Sequence, residues 1–115
     1  MEFVQFHPSY DYSDFVEGLK PVLNNDGQMS FEVRAGIFKS FCERAASDRD
    51  NKYVFVIDEI NRADLSRVFG ELFFGLELDY RNSEIETQYH YLDESKPKMV
   101  IPDNLFIIGT MNDID

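Results

Sequence analysis

Residues 53–77 read YVFVIDEINRADLSRVFGELFFGLE, and this stretch decides how the rest of the chain is understood. It opens on Tyr53, Val54, Phe55, Val56 and Ile57, a continuous apolar run with β-branched members. Such a run predicts a strand covered on both faces, as in a parallel sheet. Two adjacent carboxylates, Asp58 and Glu59, then end it. An interior strand has no packing use for two negative charges, so its tip is a candidate site. Beyond it, Leu65, Val68, Phe69, Leu72, Phe73 and Leu76 recur at helical spacing and predict a helix with an apolar stripe facing the core.

Working outward, LFIIG (Leu105–Gly109) is a second buried strand, followed at once by TMNDID. FVQF, residues 3–6, is a third. Asp11 or Ser13 is placed to cap a short helix carrying Phe15, Val16 and Leu19. Pro21 and NNDGQ (residues 24–28) read as its end and a loop, and residues 30–46 read as a second helix with Ile37, Phe38, Phe41, Cys42 and Ala45 on one face. EIETQYHY (residues 84–91) alternates, and with DESKP and KMVI it predicts a hairpin carrying Tyr89, His90 and Tyr91. Strands alternating with helices predict an α/β layer fold around a parallel sheet.

At 115 residues the chain fits one small domain, and its 43% hydrophobic content with 11 phenylalanines supports a packed core. One cysteine, Cys42, excludes an internal disulfide framework, and its place on an apolar helix face predicts packing. His7 and His90 have no partners at metal-ligand spacing. Twenty-two Asp and Glu against 11 Lys and Arg leave a net charge of −11, so any DNA contact is expected from another domain or chain. The first ten residues lack a basic, then apolar, secretory pattern, and no apolar run reaches a membrane span; the cytoplasm is the expected location.

In open parallel sheets, ligands bind at the carboxyl ends of the strands. Asp58 and Glu59 end one strand; Thr110, Met111 and Asn112 follow another. Two carboxylates and a carboxamide converging there suit phosphate chemistry with magnesium. The Asp serves the hydrated metal, the Glu takes a proton from water, and the Asn bonds water and terminal phosphate.

DEINRA, then FGEL, then IIGTMN, preceded by FVQFHPSYDYSDFVEGLKP, resembles the AAA+ domain of McrB-type GTPases, the motor subunits of restriction systems that cleave methylated DNA. The resemblance covers nearly the whole chain. It implies a P-loop NTPase fold, with Asp58 and Glu59 as the Walker B pair. Asp58 then serves Mg2+, Glu59 is the catalytic base, Asn112 is the sensor-1 residue, and Asp115 closes a Met-Asn-x-x-Asp signature. Arg62 either reaches a neighbouring subunit or pairs with the acidic surface. GTP or ATP, a homo-oligomeric ring (a hexamer) and a partner nuclease are the implied ligands and partners. A P-loop is missing, since none of the six glycines is followed by lysine. Residues 1–115 are therefore expected to be the middle of an AAA+ domain, without P-loop, arginine finger or helical lid, and inactive alone. The LFIIG edge, where a P-loop strand would pair, is expected to be open and prone to aggregation. A MoxR-like AAA+ chaperone ATPase and a non-catalytic interaction module are the two other readings the sequence admits.

Overall fold

A computed structural model describes residues 1–77, 80–92 and 94–111. Three parallel strands form the main sheet in the order β1 (Glu2–Gln5), β4 (Tyr53–Asp58), β5 (Leu105–Gly109). Gln5 lies beside Asp58, and Ile57 beside Gly109, so the three carboxyl ends are level. A separate antiparallel hairpin, β2 (Glu17–Leu23) with β3 (Met29–Ala35), stands apart from that sheet. The helices are α1 (Tyr12–Phe15), α2 (Ile37–Ala46) and α3 (Leu65–Phe69).

Among the described residues, one face of the sheet is covered and the other is not. Phe55 and Ile57 are fully buried beneath the helices, whereas Val54 and Val56 on the other face are half-buried. The register sets Phe3 and Ile108 beside Val56, and Phe106 beside Val54, and all three flanking residues are exposed. β5 is an open edge among the described residues.

The core is aromatic. The Phe15 ring stacks on Phe38 at 4.9 Å and meets Phe69, Phe55 and Phe6 edge-on at 4.8, 5.7 and 5.6 Å. These rings come from α1, α2, α3, β4 and the residue after β1, so one cluster joins the covering layer to the sheet. Cys42 is buried in the same core, where burial pushes its thiol up and keeps it unreactive.

The chain departs from the sequence expectation in four places. α1 is capped by Asp11, whose carboxylate accepts from the Ser13 N–H at 3.0 Å, but it stops at Phe15. Leu19 lies in β2, not on a helix. The second helix likewise begins at Ile37 rather than near Ser30, because residues 29–35 pair with β2. Leu19, Pro21 and Leu23 face Val33, Phe31 and Met29, a two-residue alternation interrupted by a tight turn with Gly27 at φ 83°. At Gly36 any side chain would overlap the Phe15 carbonyl, so the chain can turn there into α2.

Among the described residues, the expected hairpin at residues 84–101 is reduced to a single bridge, Ile85 to Met99. Its backbone donors are taken elsewhere: Tyr89 N–H donates to the Glu17 carboxylate at 2.9 Å, and Gln88 N–H to the Tyr12 hydroxyl at 3.0 Å. A 3-10 turn occupies His90–Leu92. The antiparallel hairpin of this chain is instead a different segment, residues 17–35. Finally, the helix after β4 is α-helical only to Phe69; Gly70, at φ 55°, converts it to a 3-10 segment through Leu76. The tighter winding keeps Leu72 buried and turns Phe73 out to 44% exposure.

Two polar side chains fasten these parts. Asn104 donates from Nδ2 to the carbonyls of Ala45, Asp48 and Asn51 at 2.9–3.1 Å, tying the end of α2 to the approach of β5. Glu17 is buried and accepts from Lys39 Nζ at 2.7 Å as well as from Tyr89. Burial raises its carboxyl, but Lys39, the Tyr89 N–H and the Thr87 hydroxyl outweigh that and hold it below its ordinary 4.5.

Asn104→Ala should cost about 2–3 kcal/mol in urea unfolding, since buried carbonyls lose their donor; a loss under ~0.5 kcal/mol would show the clamp is idle. The depressed Glu17 carboxyl contributes stability that is complete above pH 4.5 and lost as pH falls through its lower folded value. Glu17→Gln should therefore be less stable at pH 7 and show a shallower loss on acidification. Equal acid slopes for the two proteins would refute the assignment.

Candidate functional site

The site is built where the three parallel strands end. Phe6 N–H donates to Asp58 O at 2.9 Å, which holds the end of β1 against β4. Beyond β5, Thr110 N–H donates to Ile57 O and Ile60 N–H to Thr110 O, both at 2.9 Å. Asp58 and Glu59 are thereby held between the tips of β1 and β5. Gly109 has the same logic: a Cβ there would come within 2.8 Å of Ile60 Cδ1, so glycine lets Ile60 close over β5.

The two carboxylates point to different neighbours. Thr110 Oγ1 donates to Asp58 Oδ1 at 2.5 Å. Gln5 Nε2 donates to Glu59 Oε2 at 2.9 Å, and Arg62 Nη1 lies 3.5 Å from that same oxygen. Glu59 adopts the left-handed conformation, φ 54° and ψ 47°, which costs a non-glycine residue about 1 kcal/mol. This backbone sends consecutive side chains toward opposite neighbouring strands.

The turn after β1 is part of the same rim. His7 Nδ1 accepts from Ser9 N–H at 3.2 Å, and Arg67 of α3 donates from Nη2 to the carbonyls of Pro8 and Tyr10, each at 3.2 Å. α3 is itself capped by the Asp64 carboxylate, which accepts from Arg67 N–H at 3.4 Å. A single arginine thus links the helix after Glu59 to the loop after Gln5.

Of the residues expected from sequence, Asp58, Glu59 and Arg62 come together here. Asn112 and Asp115 lie outside the described residues. Asn61 is exposed beside Arg62. Sequence reasoning passes over Gln5 altogether, and places Thr110 at a strand end without a role. The available signal is that FVQF carries one polar residue, Gln5, among apolar ones and YVFVID ends on Asp58, and those two residues are register partners.

The donors at the β4–β5 tip are all oxygen, a carboxylate and a hydroxyl, which is the chemistry magnesium prefers. Among the described residues no three His, Cys, Asp or Glu side chains form a metal cage. The residues present therefore fit a cation that keeps most of its ligands from water and phosphate.

The AAA domain (dynein-related subfamily) family matches residues 1–115. The chain belongs to that family. Within it, this AAA domain is similar to the Type IV methyl-directed restriction enzyme EcoKMcrB subunit of Escherichia coli strain K12, with 41% identity over 112 residues. The match covers 97% of this chain and 23% of that relative. It is also similar to the Type II restriction enzyme BsuMI component YdiS of Bacillus subtilis strain 168, with 28% identity over 145 residues, covering 97% of this chain and 41% of the relative. The AAA domain described here thus spans less than half the length of either. The McrB-type resemblance and the α/β P-loop NTPase fold class are borne out by the family, the relative and the parallel sheet. No helix among the described residues is long and apolar enough to cross a membrane.

The strain at Glu59 gives a stability test. Glu59→Gly should raise the unfolding free energy by about 0.5–1 kcal/mol, because glycine enters the left-handed region freely. Lower stability would mean that the Gln5 and Arg62 contacts outweigh the strain.

Proposed function

We propose that this AAA domain is the Walker B-to-sensor-1 part of a motor that hydrolyses GTP or ATP with Mg2+. The observation that carries the reading is the pairing at adjacent strand ends: Glu59 with Gln5, and Asp58 with Thr110. In this reading the Glu59 carboxylate accepts a proton from water as the water oxygen attacks the terminal phosphorus and the bond from that phosphorus to the bridging oxygen breaks, with the nucleoside diphosphate as leaving group. Gln5 and Arg62 occupy Oε2, which leaves Oε1 to take the proton. Asp58, oriented by the Thr110 hydroxyl, holds the magnesium site. The ion, when bound, supplies neutralisation of charge on the phosphate oxygens.

Asn112 and Asp115 keep the roles the McrB likeness implies, contacting the water or the γ-phosphate. Arg62, exposed beside Glu59, is in this proposal also the residue that faces a neighbouring subunit of a ring. The P-loop, the arginine finger and the helical lid belong, in this proposal, to other parts of a longer protein, and the isolated 115 residues do not turn over nucleotide. Both relatives are named as components of restriction enzymes, which supports a motor that drives DNA cleavage by a partner nuclease in the cytoplasm. A surface of net charge −11 leaves DNA contact to another domain or chain.

In the full-length parent, Glu59→Gln should lower kcat by about 10²–10⁴-fold with KM little changed, the signature of a lost general base. Gln5→Leu should lower kcat less, by roughly tenfold, because the base remains but is no longer held. Turnover by Glu59→Gln at the wild-type rate, with GTP and with ATP, would remove the hydrolytic reading.

A further inference from the structure

We infer that the open edge of β3 is a self-association surface, on which a second copy of this chain pairs antiparallel about Val33. This goes beyond the nucleotide reading and does not rest on it.

Two backbone bonds fix which groups face outward. Gly36 N–H donates to Val16 O and Asn24 N–H to Gln28 O, both at 2.7 Å. They continue the β2–β3 register beyond each end, so the mutually bonded pairs are Gly18 with Arg34, Lys20 with Glu32, and Val22 with Ser30. The alternate residues turn their N–H and C=O outward. On β2 these include Pro21, which has no N–H, so that edge is blocked. On β3 they are Met29, Phe31, Val33 and Ala35, all with donors intact. Among the described residues no backbone bond joins β3 to any strand but β2.

The side chains select the occupant. One hairpin face is apolar, and its Leu23, Met29 and Phe31 are 73%, 66% and 66% exposed. The other face of β3 carries Glu32 and Arg34, which pair with each other at 2.7 Å in the single chain. A two-fold axis at Val33 sets Glu32 opposite the second copy's Arg34, and Arg34 opposite its Glu32. Phe31 then faces the second copy's Ala35, and the apolar faces of both hairpins join. Centring on Glu32 or Arg34 instead would set that charge against itself, which is unfavourable. Charge also permits approach here. From Glu17 to Lys39 the acids Glu17, Asp26 and Glu32 are balanced by Lys20, Arg34 and Lys39, while the whole chain carries −11.

Sedimentation equilibrium of the 115-residue chain, from micromolar to submillimolar, should show a reversible monomer–dimer equilibrium. Glu32→Arg alone and Arg34→Glu alone should each weaken the dimer by about tenfold or more, since each sets like charges opposite one another. Mixing the two variants in equal amounts should restore a heterodimer, because every cross-strand pair is again opposite in sign. Val33→Pro should abolish dimerisation while sparing the β2–β3 ladder, as the Val33 N–H faces outward. A chain monomeric throughout, a dimer indifferent to both charge variants (association through β1 or β5), no recovery on mixing, or a dimer surviving Val33→Pro would each overturn the proposal.

Discussion

The packing of Phe15 is the contact on which the rest of the molecule depends. Its ring is held by Phe38 of α2, Phe69 of α3, Phe55 of β4 and Phe6 at the end of β1. Full burial of one such side chain stabilises by about 2–3 kcal/mol, and the aromatic pairs add to it. The cluster also sets geometry. By joining α1, α2 and α3 to β4 and the tip of β1, it holds the strands whose ends carry Gln5, Asp58 and Glu59. A helical layer packed on one sheet face leaves the carboxyl edge free for chemistry.

At that edge, polar atoms are organised by neighbouring strands rather than by their own segment. Gln5 lies 54 residues from Glu59, and Thr110 lies 52 residues from Asp58, yet each pair is in hydrogen-bond contact. The Glu59 backbone accepts a strained conformation, and its cost of about 1 kcal/mol is borne by β4, which is bonded on both edges. Rigid strands make such strain sustainable.

The parallel strands Tyr53–Asp58 and Leu105–Gly109 were legible because each is a continuous apolar run bounded by turn or charged residues, and both fall where the sequence sets them. The hairpin at residues 17–35 was not. Leu19 follows Phe15 and Val16 at helical spacing, while Pro21 interrupts the alternation that would have marked a strand. Residues 84–91 misled in the opposite sense. Their alternation is real, but Glu17 and Tyr12 take the backbone donors a hairpin would need. Hydrogen-bond competition from distant side chains leaves no periodic mark.

The sequence by itself determined the strand cores, the acidic tip of β4 and the kinship with AAA domains, because these rest on runs of residues whose chemistry acts locally. Tertiary structure alone decided which residues share that tip. Gln5 reads as one polar residue after an apolar pair until β1 is laid beside β4 in register, and Thr110 reads as a strand terminus until β5 is added on the other edge. Which strand neighbours which is settled by burial of the common aromatic core, and the pairing of site residues follows from that order.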